Sequence, residues 1–279
     1  MGSVELGMNS LTKLITDFVD GVLTTTGTGY SATATETHTF PTPAAVTAET
    51  SNGTIAIHGE NREDVSVTVT KRAHDEVSLD EIEFTTRGGE DEVLHLRSAI
   101  PSGTNGAVDL SITVPETVPV DRVETKNGRI EIGEIVGDVR VSTTNGQITA
   151  ENVEGYLDLT TTNGQITVRG CSGVDRVQTV NGQIHLELDS IRDETVVSTE
   201  TGQIIVLTGP HLDADVTLDS TVGRVEAPVI GGSASGIGAN EVTGTIGEGT
   251  HPLRIETNVG SVELRERAPG NEADAVLES

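Results

Sequence analysis

A glycine returns along this chain at near-regular intervals, and its neighbours return with it. Taking the residue before each repeat glycine as a reference gives Asn52, Asn127, Asn145, Asn163, Asn181, Thr201, Val222, Thr243 and Val259. From Asn127 onward the steps are 18, 18, 18, 20, 21, 21 and 16 residues. A period of this size marks a repeat architecture and takes precedence over any local reading. Three residues after the reference stand Ile55, Ile130, Ile148, Ile166, Ile184, Ile204, Val225, Ile246 and Val262, all β-branched. Four before it every residue is apolar, from Ala48 and Val123 through Leu159 to Ala239 and Ile255. Two before it Thr recurs at 50, 125, 143, 161, 179, 199 and 257, with Ser220 and Glu241 as the exceptions. Side chains two apart share one face of a strand, so these columns point inward. The residue after the glycine is polar throughout and faces water: Thr54, Arg129, Gln147, Gln165, Gln183, Gln203, Arg224, Thr245 and Ser261.

Asn-Gly is the dipeptide that two-residue hairpins favour most, and a type I′ turn needs positive φ at both central residues. Asn tolerates that backbone, whereas the β-branched Thr201, Val222, Thr243 and Val259 resist it. The glycine is never lost, so the special backbone is expected at the glycine alone. The repeat then reads as a corner at which the chain bends and winds on, each turn stacking on the last. This predicts an all-β, single-stranded β-solenoid (β-helix-like) with rungs of about 18 to 21 residues. Like side chains about 4.8 Å apart make identical polar columns useful. The Asn column and the Gln column are both expected to pass amide hydrogen bonds from rung to rung. Cys171 falls on the same apolar column as Ile135 and Val153, which predicts a buried, unreactive thiol.

Leu11, Leu14, Ile15, Phe18, Val19 and Val22 lie at helical spacing and predict a short amphipathic helix before the solenoid. Residues 24–39 carry few large apolar side chains and read as a linker or an irregular strand. The expected organisation is a helix and linker over 1–39, a β-repeat domain over 40–265, and a flexible acidic tail over 266–279. Within the domain, residues 44–118 read as longer strands leading into the repeats, "GGED" at 88–91 as a hairpin turn, and "GGSASGIG" at 231–238 as a tight rung or loop.

Charge limits the partners. With 44 Asp and Glu against 17 Lys and Arg the formal net charge is −27, and only Lys13, Lys71 and Lys126 are lysines. Such a chain is repelled by nucleic acid and by anionic membranes. Combined with abundant Val, Ile and Thr, the balance suits a folded protein adapted to high salt, where the Debye length falls to about 3 Å. No run of 18 apolar residues occurs, so no transmembrane segment is expected. The N-terminus shows no basic leader followed by an uninterrupted apolar run; the protein is read as cytoplasmic, or as exported by a signal outside this chain.

The segment "VDLSITVPETVPVDRVETKNGRIEI" (108–132), followed by "VSTTNGQITAENVEG" and "LDLTTTNGQITVRGCSG", resembles the putative-adhesin family of bacterial and archaeal β-strand-repeat proteins, a domain of unknown function. The resemblance covers about residues 40–265. It implies the β-repeat fold and a place at the cell surface, and it brings no catalytic residues.

Nothing in the sequence points to a cofactor. The seven histidines show neither HxH nor HExxH spacing and have no cysteine partners, which argues against zinc. The Gly-Gly-x-Gly-x-Asp repeat of calcium-binding solenoids is absent, as are a P-loop and Gly-x-Ser-x-Gly. A polysaccharide-active β-helix enzyme would need carboxylates converging in a groove. Asp158, Arg140, Arg176 and Glu151 are expected on outward faces, and Tyr156 is the one aromatic ring in the repeats. The reading that remains is a noncatalytic scaffold for adhesion or protein interaction, recognising a protein or a surface polymer. Its candidate interaction surface is Gln147, Gln165, Gln183, Gln203, Arg129 and Arg224. A self-assembling structural protein that forms homo-oligomers through its solenoid ends is the alternative.

Overall fold

The computed structural model describes residues 21–22, 32–90 and 92–268. The N-terminal part forms β1 (Gly21–Val22), β2 (Ala32–Pro41), β3 (Ala45–Asn52), β4 (Ile55–Glu60), β5 (Asp64–Ala73), a short helix α1 (Glu76–Asp80), β6 (Glu83–Arg87), β7 (Val93–Ala99) and β8 (Gly106–Pro115). The regular repeats contribute β9 (Val120–Asn127), β10 (Ile130–Val136), β11 (Val139–Asn145), β12 (Ile148–Glu154), β13 (Tyr156–Asn163), β14 (Ile166–Arg169), β15 (Gly173–Asn181) and β16 (Ile184–Leu188). The C-terminal part comprises β17 (Thr195–Thr201), β18 (Ile204–Thr208), β19 (Ala214–Ala227), a 3₁₀ turn at Pro228–Ile230, β20 (Gly232–Ile246) and β21 (His251–Glu266).

The strands on either side of an Asn-Gly pair with their equivalents in neighbouring rungs and not with each other, so the dipeptide is a corner. Strands before the corner stack in parallel, β3 on β9 on β11 on β13 on β15 on β17, with Asn52, Asn127, Asn145, Asn163, Asn181 and Thr201 in register. Strands after it form a second stack, β4, β10, β12, β14, β16 and β18, aligning Ile55, Ile130, Ile148, Ile166, Ile184 and Ile204. The inward aliphatic residues of both stacks fill one continuous core that includes Val141, Leu159, Ile166, Val177 and Cys171. Burying such columns, at roughly 25 cal/mol per Å² of apolar surface, is the main favourable term in the fold.

The first rung, β3 with β4, lies against β9 and β10 although most of residues 60–118 intervene. That insertion closes the N-terminal end: β7 and β8 continue the two stacks, β6 pairs antiparallel with β7, β5 pairs antiparallel with β8, and β2 antiparallel with β5. The β6–β7 connection is the hairpin expected at 88–91. Of the stretch 24–39 expected as a linker or an irregular strand, residues 32–39 belong to the regular strand β2 and the rest lies outside the described residues. The helix expected over 10–23 lies outside the described residues except at Gly21 and Val22, which form a two-residue strand antiparallel to β2. Of the acidic tail, only residues before 269 are described.

At the C-terminal end the rungs leave sequence order. β21 lies between the β17/β18 rung and β19, aligning Thr201, Val259 and Val222. β20 then runs antiparallel to β19. Ala239, Glu241, Thr243, Thr245 and Ile246 therefore do not stand in the parallel columns. Strand alternation has period two in either chain direction, so a column pattern cannot tell the two apart. The reversal itself comes from the 3₁₀ turn at Pro228, closed by Gly231 at φ 69°. Residues 232–238, expected as a tight rung or loop, belong to the strand that follows it.

As expected, the corner glycine has positive φ at Gly53 (130°), Gly202 (155°), Gly223 (158°) and Gly260 (152°), but a second reason requires it on the remaining rungs as well. Gly128, Gly146, Gly164 and Gly182 do not have positive φ. Instead, a Cβ on each would fall inside the carbonyl oxygen of the corner glycine one rung before: Gly53, Gly128, Gly146 and Gly164 respectively. Backbone stacks on backbone there with no room for a methyl group. Gly164→Ala is expected to cost about 3 kcal/mol of stability by forcing this contact apart. Thr162→Ala, on the outer face two residues earlier, should cost under about 0.5 kcal/mol. Chemical denaturation of both variants checks the contrast.

Cys171 lies in the core as expected, and burial pushes its thiol up to about 11. A maleimide at pH 8 should leave it unmodified in the native protein and label it on unfolding, as read by mass spectrometry.

Candidate interaction surface

Three side-chain columns meet at the corner, and each has its own partner. The Thr two residues before the reference is buried, and its hydroxyl donates to a corner-glycine carbonyl of the adjacent rung. Thr125 reaches Gly53 O (3.3 Å), Thr143 reaches Gly128 O (3.3 Å), Thr161 reaches Gly146 O (3.2 Å) and Thr179 reaches Gly164 O (3.3 Å). Thr257 and Ser220 do the same to Gly202 and Gly260. These hydroxyls serve carbonyls that the close backbone approach would otherwise leave buried and underbonded.

The Asn column is a continuous amide ladder on the solvent side of the corner. Nδ2 of Asn127 donates to Oδ1 of Asn52 at 2.7 Å, and Asn145, Asn163 and Asn181 continue it at 2.7, 2.8 and 3.0 Å. The Gln column does not repeat this. Gln165 Nε2 turns to Thr167 Oγ1 on its own strand (3.3 Å), and no Gln-to-Gln amide bond joins the rungs among the described residues. The longer Gln side chain starts from an outward position beyond the corner, where one extra rotatable bond frees it to find local or solvent partners.

The candidate residues fall on one line. Arg129, Gln147, Gln165, Gln183 and Gln203 occupy successive rungs just after the corner, and Ser261 of the inserted β21 separates them from Arg224. Both arginines are exposed and bound within their own strands, Arg129 to Glu131 (3.1 Å) and Arg224 to Glu226 (2.9 Å). Between them the outer surface changes character. Around the corner of β11/β12 it presents Ser142, Thr144, Asn145, Gln147 and Thr149. On β13/β14 it presents Thr160, Thr162, Asn163 and Gln165, and on β15/β16 Gln178, Val180, Asn181, Gln183 and His185. None of these is an acid, a lysine or an arginine, in a chain with 44 Asp and Glu. An open depression lined by Thr160, Thr162, Gln178, Val180 and Ser198, and also by Glu200 and Glu256, marks its first-strand side.

Paired charges border this strip. Arg140 and Asp158 are 3.1 Å apart on the first stack, next to Arg176 in the same column, while Glu151 and Arg169 are 3.2 Å apart on the second. The four residues weighed for glycan chemistry thus stand on two different stacks, and Asp158 and Glu151 are each held by an arginine. Exposed pairs of this kind contribute at most about 1 kcal/mol. Among the described residues, no group of three or more His, Cys, Asp or Glu is placed to hold a metal ion. No helix among them is long and apolar enough to cross a membrane.

On the return side of the rungs, Arg192 forms a clamp that the repeat columns do not reveal. Its guanidinium lies 4.1 Å from the centroid of the Tyr156 ring and pairs with Asp138 (2.8 Å) and with Asp175. Four successive rungs, its own included, are thereby tied by one side chain. A second feature of the return side is backbone in the left-handed region at Glu134 (φ 54°), Asn152 (φ 53°) and Gly170 (φ 60°), spaced 18 residues apart. The signal for it was an Asn and a Gly at equivalent positions, both residue types that tolerate this conformation.

A family model described as Toastrack DUF4097 matches residues 41–265. Among solved structures, a putative cell adhesion protein from Clostridium sporogenes is 14% identical, covering 84% of this chain and 100% of its own, with a TM-score of 0.34. A putative adhesin from Bacteroides fragilis is 12% identical over 83% of this chain and 96% of its own, with a TM-score of 0.44. A putative lipid binding protein from Parabacteroides distasonis is 12% identical over 84% and 97%, with a TM-score of 0.40. No protein of curated function matches the sequence.

The clamp has a pH signature. The Tyr156 backbone N–H and then the Arg192 guanidinium hold the Asp138 carboxyl below its ordinary value. A depressed folded-state pKa gives stability that is fully present above the unfolded value, about 3.9, and lost as pH falls through the folded value. Arg192→Ala should therefore shift the acid loss of stability to higher pH. Melting curves from pH 5 to pH 2 should show variant and wild type furthest apart above about pH 4 and converging at the acid end.

Proposed function

The chain belongs to the Toastrack DUF4097 family, and on that premise we propose that it is a noncatalytic β-repeat scaffold for adhesion in high salt. Its uncharged corner strip, centred on Gln147, Gln165 and Gln183, binds an uncharged polymer or protein surface rich in hydroxyl or amide groups.

One observation carries this reading: among the described residues, the most regular rungs carry the only long uncharged stretch of corner, in a chain whose formal net charge is −27. A partner landing there meets hydroxyls and amides that exchange hydrogen bonds with water for hydrogen bonds with it. At the corner of the β11 to β16 rungs, short of Glu200 and Glu256, it desolvates no carboxylate, a step that costs several kcal/mol when left unpaired. Molar salt shortens electrostatic reach to about 3 Å, so contact-range hydrogen bonding outlasts long-range attraction as the means of recognition. The rigid backbone stack holds these groups at the rung spacing, which favours a partner with a repeating structure of its own. The adhesin-like reading agrees with a scaffold in which Asp158 and Glu151 serve ion pairs and not a reaction.

The test is retention of the protein, in molar salt, on arrays of immobilised neutral and acidic polysaccharides and surface proteins. Wild type should be retained on uncharged members. Thr162→Glu combined with Gln165→Glu, both at outward positions, should weaken retention at least tenfold without lowering the melting temperature. Equal binding by wild type and variant would reject the strip, and glycan turnover lost on changing Asp158 or Glu151 would reject the noncatalytic role.

A further inference from the structure

The two ends of the solenoid are built differently, and the difference points to a partner. At the N-terminal end the first stack stops at β6, a five-residue strand with Glu83 and Arg87 at its ends. The second stack stops at β2, which carries Glu36 and Pro41 and is partly covered by β1. Short length, charge and proline are the devices that keep a sheet edge from pairing with another. The C-terminal end has neither the short length nor the proline, and carries little charge. β20 is a 15-residue strand hydrogen-bonded to β19 on one side only, among the described residues, and it contains one charged residue, Glu241, and no proline.

Three further observations single out the same end. Val229, Ile230, Val242 and Ile246 pack against the core there yet remain only partly buried. Of the three large apolar residues exposed on the described chain, Val222 (41%) and Val259 (49%) stand side by side at the corner of these last rungs, where the Asn ladder has ended. Finally, β20 crosses the corner, with residues 240–246 paired along one stack and residues 232–237 along the other. The two arms are of similar length and meet at the bend. A two-fold axis through that bend lays each arm of one molecule along the opposite arm of another, antiparallel.

We propose that β20 is a dimerisation edge, occupied by the β20 of a second copy of this chain, so that two solenoids join end to end across a two-fold axis. Such a contact is isologous and closes after two subunits, because the other end is guarded. The partner is identified by charge: molecules of net charge −27 can touch only where acids are scarce, and residues 232–246 hold a single one. Pairing about residue 239 sets Glu241 of one copy opposite Ile237 of the partner subunit, so like charges do not face each other. Residues 228–250 supply about the 20 residues a side that a standard interface takes. The surface used is distinct from the corner strip, and the proposal stands whether or not the strip is adhesive.

Sedimentation velocity of the full chain in molar salt is the test. Wild type is expected as a dimer that dissociates toward monomer as salt is lowered, because self-repulsion reaches further when less screened. Thr243→Lys with Thr245→Lys changes exposed positions of β20 and should yield a folded monomer, with an unchanged melting temperature and undiminished retention on the polymer arrays. Val242→Lys, on the side that packs against the core, should also yield a monomer but with a lowered melting temperature. Lysines at Thr85 and Thr86 of β6 should leave the dimer intact. A wild-type chain that stays monomeric to about 100 μM in molar salt, or a dimer indifferent to lysines in β20, would overturn the proposal.

Discussion

The contact on which this structure depends is the approach of one glycine backbone to the next at the corner of every rung. Where Gly128, Gly146, Gly164 and Gly182 stack, a side chain on any of them would overlap the carbonyl beneath. Everything else at the corner follows from that distance. The crowded carbonyl needs a donor that reaches it from inside the core, which a Thr two residues earlier provides. The Asn before the glycine sits within amide reach of its equivalents and chains them together. The aliphatic residue three places on begins the second strand pointing back into the core. A small backbone-to-backbone distance thus explains why a four-residue pattern recurs and why the intervening residues are free to vary.

That freedom shapes the surface. Outward positions carry charge at the two margins and uncharged amides and hydroxyls at the centre, although nothing in the core demands it. Most ion pairs join residues two apart on one strand, such as Arg122 with Glu124 and Arg254 with Glu256, or equivalent positions on adjacent rungs, such as Arg140 with Asp158. Being exposed, they neutralise surface charge locally more than they stabilise the fold. Arg192 differs because it links four successive rungs and stacks on an aromatic ring, so its loss is felt by several turns of the chain at once.

The columns around Asn145, Asn163 and Asn181 were legible in the sequence because parallel, in-register stacking gives equivalent residues equivalent surroundings. The corner was legible for a related reason, since Val222 and Val259 stand where a hairpin would have needed positive φ. The cause of the glycine was half legible: the dihedral requirement read from sequence holds at Gly53, Gly202, Gly223 and Gly260, while the steric requirement that every corner shares came only from the structure. The Gln column was legible as a surface line and misread as a ladder, since side-chain length decides which amides meet. The position of β21 and the direction of β20 could not be read, because alternation looks the same whichever neighbour a strand takes and whichever way it runs. Arg192 was equally hidden, its partners lying 17 and 54 residues away.

The insertion of β21 between β18 and β19 orders events in time as well as in space. During synthesis β19 and β20 leave the ribosome before the strand that joins them to the rest of the solenoid exists. Until residues 251–266 emerge, the growing repeat ends at β17 and β18 with both edges open, and the β19/β20 hairpin has no sheet to dock on. The last rung therefore acts as a keystone: the earlier turns can accumulate one by one, but the terminal three are set together. The far end of the solenoid is joined through β21 alone, so a chain that has not yet made residues 251–266 differs from one that has them at a single place.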